Sequence, residues 1–300
     1  MAKIPYDKPA LTYQEQIDQL KLRGLEINNL PRAIHLLESI SYYRLSGYWY
    51  PMLLDKSNHV FKSNSLFQSA FNLYSFDRKL RVLIIRELEK IEVSIRAKMI
   101  YVLSHEFGAF WYQKANLFNN HVKHSKSLGS LENDYKRSDE EFIEAFMRKY
   151  SDSLPPSWMM LEITSFGTLS FLYSNLKAGR TKRKIANHFG LNDRTFASWL
   201  HSIVYLRNVC AHHSRLWNRI MSIQPIKPIK PSKQWLIDDT VSNRKTYYIL
   251  SIILYLMQTI NPDNSIVKRV KMLLNDYQNV DTKAMGFPNN WEEENLWQEN

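Results

Sequence analysis

Residues 76–103 read FDRKLRVLIIRELEKIEVSIRAKMIYVL. Leu80, Leu83, Ile84, Leu88, Ile91, Ile95, Met99 and Val102 recur at three- and four-residue intervals, the spacing of one apolar stripe along a helix and not the alternation of a strand. Arg81, Glu89, Lys90 and Lys98 are expected on the opposite, solvated face, and Glu92 and Arg96, four apart, are expected to pair. The helical signal extends from Leu66 to about Ser104.

The same period recurs on either side. Thr12 and Glu15 form a capping-box pattern ahead of Ile17, Leu20 and Leu25. A second run follows Pro31 and ends near Gly47 and Pro51. Residues 121–136 are polar and predict a loop, followed by a shorter helix near Glu140 to Lys149. The pair Pro155–Pro156 breaks the chain. Helices are predicted at Trp158–Lys177, Thr181–Phe189, Asp193–Trp217 and Arg244–Ile260. The prolines of QPIKPIKPSK, at 225, 228 and 231, predict a stiff extended connection. The tail WEEENLWQEN, residues 291–300, predicts a solvated C-terminal helix. The fold class is all-α: an N-terminal helical region over residues 1–65, a helical core over 66–262 and a helical tail over 263–300.

Of 300 residues, 44% are hydrophobic and 13% aromatic, enough for a sizeable core. The single cysteine, Cys210, excludes an intrachain disulfide framework and any cysteine-based metal site. The opening residues lack the apolar core of a secretory signal, and the most apolar stretch, Tyr247–Ile260, is short for a bilayer span. A soluble, cytoplasmic protein with no membrane partner is expected. The formal charge of +11 draws polyanions, which points toward nucleic acid.

One stretch carries chemistry. Residues 207–219, RNVCAHHSRLWNR, interrupt an apolar helical pattern with an amide, two imidazoles and three guanidinium groups. If the helix runs to Trp217, Asn208 and His212 share a face one turn apart, and Arg215 and Arg219 continue near the same azimuth, with Arg207 beside them. His213 is rotated ~100° away. An imidazole can take a proton from a ribose 2′-hydroxyl or return one to a leaving oxygen, and a guanidinium can grip a phosphate with two prongs. The same groups also suit a plain polar seam inside a helical core.

Here the chain resembles a known family. RNVCAHHSRLWNR is similar to the RNxxxH motif of the HEPN superfamily, in the form found in the Abi-like proteins AbiD and AbiF of bacterial abortive infection. Further segments resemble that family: ISYYRLSGYWYP at 40–51, YSFDRKLRVLIIRELEKIEVSIRA at 74–97 and WMMLEITSFGTLSFLYSNLK at 158–177. The resemblance implies a HEPN-type helical bundle with Arg207 and His212 as catalytic pair; Asn208, one turn behind the imidazole, is placed either to fix its tautomer or to touch the scissile phosphate. It also implies phage defence by a toxin-like ribonuclease and a structured small non-coding RNA as partner; a homodimer is expected because one copy of the motif supplies few acid–base groups.

Three other features invite a role. Residues 177–200 combine Lys177, Arg180, Lys182, Arg183 and Lys184 with Ala186, Gly190 and Phe196 at helix-turn-helix spacing. They read either as a basic track for RNA or as a DNA-binding element. In YYRLSGYWY, residues 42–50, Arg44 stands among aromatic residues that suit stacking on unpaired bases, or simply core packing. Asp77, Glu87, Glu89 and Glu92 crowd the long helix without a second ligand cluster, and His35, His105, His121, His124, His188 and His201 are scattered. No metal and no cofactor are expected. Three functions remain open from sequence: a metal-independent endoribonuclease with Arg215, Arg219 and His213 assisting on RNA, a non-catalytic RNA-binding module, and a DNA-binding regulator.

Overall fold

The computed structural model describes residues 5–299, which form two compact units. One takes in the chain up to Lys79 together with Leu273–Val280; the other takes in Leu80–Met272 and the chain from Asp281 on. Among the described residues the architecture is all-α, with twelve α-helices and one small hairpin.

In the first unit, α1 (Tyr13–Leu22) starts at the Thr12 cap, where the Thr12 hydroxyl accepts from the Glu15 backbone and the Glu15 carboxylate accepts from the Thr12 N–H. The run after Pro31 divides into α2 (Leu30–Ile40) and α3 (Tyr42–Trp49) at Ser41, which sits at φ 77°. Beyond α3 the chain forms a hairpin, β1 (Leu53–Asp55) and β2 (Val60–Phe61), with Leu53 facing Phe61. Its turn is closed by the Asp55 carboxylate, which accepts from the backbone N–H groups of Ser57 and Asn58. Tyr48 donates to the buried Asp77 carboxylate at 2.6 Å.

The long helix α4 (Phe67–Phe107) begins in this unit and continues into the second. Leu80, Ile84, Leu88, Ile91, Ile95, Met99 and Val102 are buried, as their spacing predicts. Arg81 is buried too and not solvated as expected, because its guanidinium reaches the backbone carbonyl of Ser214 at 3.3 Å. Glu92 and Arg96 pair at 2.6 Å, and Arg96 also caps the carbonyls of Leu161 and Glu162. Glu87 is fully buried and is neutralised by Arg269 at 2.6 Å and Lys90 at 3.0 Å.

The second unit continues with α5 (His121–Arg137), α6 (Glu141–Lys149), α7 (Ser157–Met160), α8 (Phe166–Asn175), α9 (Arg180–His188), α10 (Asp193–Ala211), α11 (Thr246–Ile260) and α12 (Ile266–Asp276), whose residues from Leu273 on belong to the first unit. The predicted loop at 121–136 is a helix. Asn120 caps it, and its buried stripe of His124, Ser127, Leu131 and Tyr135 has helical spacing, with small or polar residues where leucines would have announced it. Trp158–Lys177 is two helices instead of one: Thr164 turns its hydroxyl back onto the Met160 carbonyl, and Ser165 caps a fresh start. The C-terminal segment forms short 3-10 turns, not a solvated helix, and buries Glu294, Leu296 and Trp297. The core centres on α10, which packs against α8, α9 and α11. No helix among the described residues is long and apolar enough to cross a membrane.

Candidate active site

Helix α10 starts at Asn192, whose side-chain carbonyl accepts from the Thr195 N–H at 2.8 Å. Phe196, Trp199, Leu200, Ile203, Leu206 and Cys210 bury one face. The other face carries exposed Arg194, His201, Asn208 and His212, with Tyr205 half-buried among them.

The helix ends at Ala211 and not at Trp217, which corrects the expected stripe. His212 is the C-cap and His213 adopts φ 54°. The Ser214 N–H donates to the Val209 carbonyl at 2.9 Å and the His213 N–H to the Cys210 carbonyl at 3.1 Å. These two bonds are those of a Schellman stop, built here without glycine. A β-carbon in this left-handed region costs about 1–3 kcal/mol. The segment beyond is pinned from two sides. Arg81 holds the Ser214 carbonyl, and the Thr246 hydroxyl reaches the carbonyls of Leu216 at 3.1 Å and Trp217 at 3.3 Å. His213→Gly is therefore expected to hold or raise the melting temperature, by up to about 1 kcal/mol of stability. If His212 alone supplies the imidazole, the same variant keeps any cleavage activity; thermal denaturation and a cleavage assay on one preparation test both halves.

Arg207, Asn208 and His212 come together at this stop. Arg207 is half-buried and donates to the Asn208 side-chain carbonyl at 3.2 Å. The Asn208 backbone carbonyl accepts from the His212 N–H at 2.9 Å. Asn208 thus connects to both neighbours, while the His212 side chain stays exposed. The His212 side chain is exposed and Arg207 is half-buried, so neither is sealed in packing.

Arg215 and Arg219 lie past the stop, so helical azimuth does not align them with Asn208. Arg215 is half-buried. Arg219 returns by another route: its guanidinium lies 6.0 Å from the ring centre of Tyr205, and its Nε is buried without a hydrogen-bond partner. Tyr205 was missed by sequence reasoning, although it stands seven residues before His212 on the same face. Arg81 and Thr246 were also missed, and no local signal connects them to residues so far along the chain.

The basic segment separates by environment. Lys177, Arg180, Arg183 and Lys184 are exposed. Lys182 is buried, and its ammonium donates to the carbonyls of Ser174 at 3.0 Å and Leu176 at 2.8 Å, which closes the end of α8. Burial pulls its pKa below the ordinary lysine value, and the Asp193 carboxylate opposes that shift. This ammonium is committed to the backbone, so it is no part of a surface track. Lys182→Ala is expected to cost about 1–3 kcal/mol by stranding two carbonyls. Lys184→Ala should leave stability unchanged, and paired thermal melts check the contrast.

The helix-turn-helix pattern also resolves. Gly190 makes the turn at φ 74°, but Ser232 and Tyr255 cover it, both donating to its carbonyl. A β-carbon there would stand 2.6 Å from the Ser232 hydroxyl. The start of α10, which would be the reading helix, buries Phe196, Trp199 and Leu200. Arg44 is exposed on α3. Among the described residues no group of three or more His, Cys, Asp or Glu side chains is placed to hold a metal.

No curated protein and no solved structure matches the chain. A family model described as Abi-like protein matches residues 35–218, more than half of the chain, and takes in α10, the Schellman stop and Trp217. With Arg207, Asn208 and His212 gathered inside that span, the chain belongs to the Abi-like protein family.

Proposed function

We propose that this protein is an endoribonuclease of the HEPN type that acts in abortive infection, a bacterial defence against phage. The observation that carries the reading is the end of α10, where the His212 side chain is exposed and Arg207, half-buried, donates to the side chain of Asn208 one helical turn before His212. Family membership supports the defence role.

The neutral His212 imidazole takes the proton of a ribose 2′-hydroxyl, and the 2′-oxygen attacks the adjacent phosphorus. Arg207 stabilises the charge that develops on the non-bridging oxygens. The P–O5′ bond breaks, the 5′-oxygen receives a proton, and the products are a 2′,3′-cyclic phosphate and a 5′-hydroxyl. No electrons are exchanged and no cofactor is consumed. One stop supplies a single motif imidazole, so a homodimer that apposes two α10 ends gives one acid and one base. Asn208 holds the Arg207 guanidinium in place.

A second reading rests on the exposed Lys177, Arg180, Arg183 and Lys184 together with the net charge of +11. These cations suit a structured small RNA held by the protein, as guide or restraint, with no cleavage. Sequencing the RNA that copurifies with the protein separates the two. Trimmed ends bearing cyclic phosphates support the nuclease, whereas intact ends in both wild type and Arg207→Ala refute it.

A further inference from the structure

The N-terminal unit contains a cavity of about 640 Å³, within the roughly 300–1,000 Å³ of small-ligand sites. Its walls are aromatic: Tyr42, Tyr43, Trp49 and Tyr50 come from α3 and the residue after it, and Tyr6 from the segment ahead of α1. Tyr43 is 89% exposed and Tyr50 46%, with the Lys56 ammonium 5.3 Å from the Tyr50 ring centre. Tyr42 meets Trp49 edge-on at 5.0 Å, which fixes the floor. The rim is cationic. Lys8, Arg23 and His59 line it, and no lining residue carries a carboxylate. Arg23 donates to the Tyr42 hydroxyl at 3.0 Å and pairs with no carboxylate among the described residues. The nearby Asp55 carboxylate is already engaged by Ser57 and Asn58.

Exposed tyrosine rings beside Lys8 and Arg23, neither of which pairs with a carboxylate among the described residues, match the chemistry of a base with its ribose and phosphate. We propose that this cavity binds one unpaired nucleotide of an RNA strand, with Tyr43 and Tyr50 stacking on the base and Arg23 and Lys8 meeting the phosphate. The inference rests on the RNA-handling reading above. Arg44, on the same helix, does not line the cavity; Arg23, from the end of α1, supplies the cation instead.

The test uses full-length His212→Ala protein, so that binding is read without cleavage. It is titrated with a short fluorescent single-stranded RNA, with the same RNA annealed to its complement, and with free AMP. The single strand binds and the duplex fails to displace it. The double variant Tyr43→Ala/Tyr50→Ala raises the Kd by about 5- to 150-fold, the range for loss of one base stack. Tyr43→Phe/Tyr50→Phe restores it, because a phenyl face stacks as a phenol does. Both alanine positions are exposed, so an unchanged melting temperature confirms an intact fold. Equal affinity in the alanine variant overturns the site while leaving the ribonuclease reading untouched. If no strand binds any variant, the RNA reading itself fails. AMP binding lost in the alanine variant then keeps the site for a free nucleotide, and no AMP binding removes it.

Discussion

His212→Ala is expected to lower RNA cleavage in EDTA by about 10²- to 10⁴-fold, the contribution of one general acid–base group. The melting temperature should not move. The His212 side chain is exposed, and its share in the helix stop is made by its backbone N–H to Asn208, which alanine preserves. Arg207→Ala is expected to cost about 10²- to 10³-fold, as for loss of one donor to a developing oxyanion. Arg207→Lys should recover only part of this, since an ammonium cannot reproduce the two-pronged guanidinium. If the residues act as one unit, the double variant is hardly worse than His212→Ala alone. The measurement is single-turnover cleavage of a labelled RNA, with product ends assayed for cyclic phosphate. Unchanged cleavage by His212→Ala would remove the imidazole from the mechanism and leave the nuclease without its acid–base group.

The helical class was legible because the apolar stripe of α4 keeps its period from Leu80 to Val102 and the structure buries it. What the pattern hid was polar burial. Arg81 scans as a solvated residue, yet it reaches Ser214, which stands 133 positions away. The end of α10 was illegible for a related reason. Leu216 and Trp217 continue an apolar pattern, and no glycine or proline marks a stop between Ala211 and Ser214. The chain turns at His213 because Arg81 and Thr246 hold the next residues against α4 and α11, a tertiary constraint that local propensity does not contain. Within the motif itself, Arg207, Asn208 and His212 all precede or form the stop, so the neighbour contacts of Asn208 survive the earlier helix end. Arg215 and Arg219 lacked that insurance, and their placement failed with the boundary. α5 and Lys182 repeat the lesson: His124 and Ser127 face inward, and a lysine in the densest basic run is the one that closes α8.

Trp297→Ala is expected to destabilise the second unit by about 3–5 kcal/mol, the usual cost of deleting a buried tryptophan. The indole is fully buried, stacked on Tyr247 at 5.2 Å and met edge-on by Trp291 at 5.2 Å, and its N–H donates to the Ser251 hydroxyl at 3.1 Å. Tyr247 is itself buried, and that burial pushes its phenol far above the ordinary tyrosine value; alanine at 297 would leave a cavity against it. The neighbouring Glu294 completes the anchor, because its carboxylate accepts from the N–H groups of Ile237 at 2.7 Å and Asp238 at 3.0 Å. Glu294→Ala strands those two donors and should cost about 1–3 kcal/mol. At about 2–4 °C per kcal/mol for a unit of this size, the two effects separate clearly in a thermal melt. A tail that were merely a solvated acidic segment would give changes within about 0.5 kcal/mol for either substitution. A shift that small in Trp297→Ala would mean that residues 291–299 do not belong to the core, and that the aromatic cluster around Tyr247 closes without them.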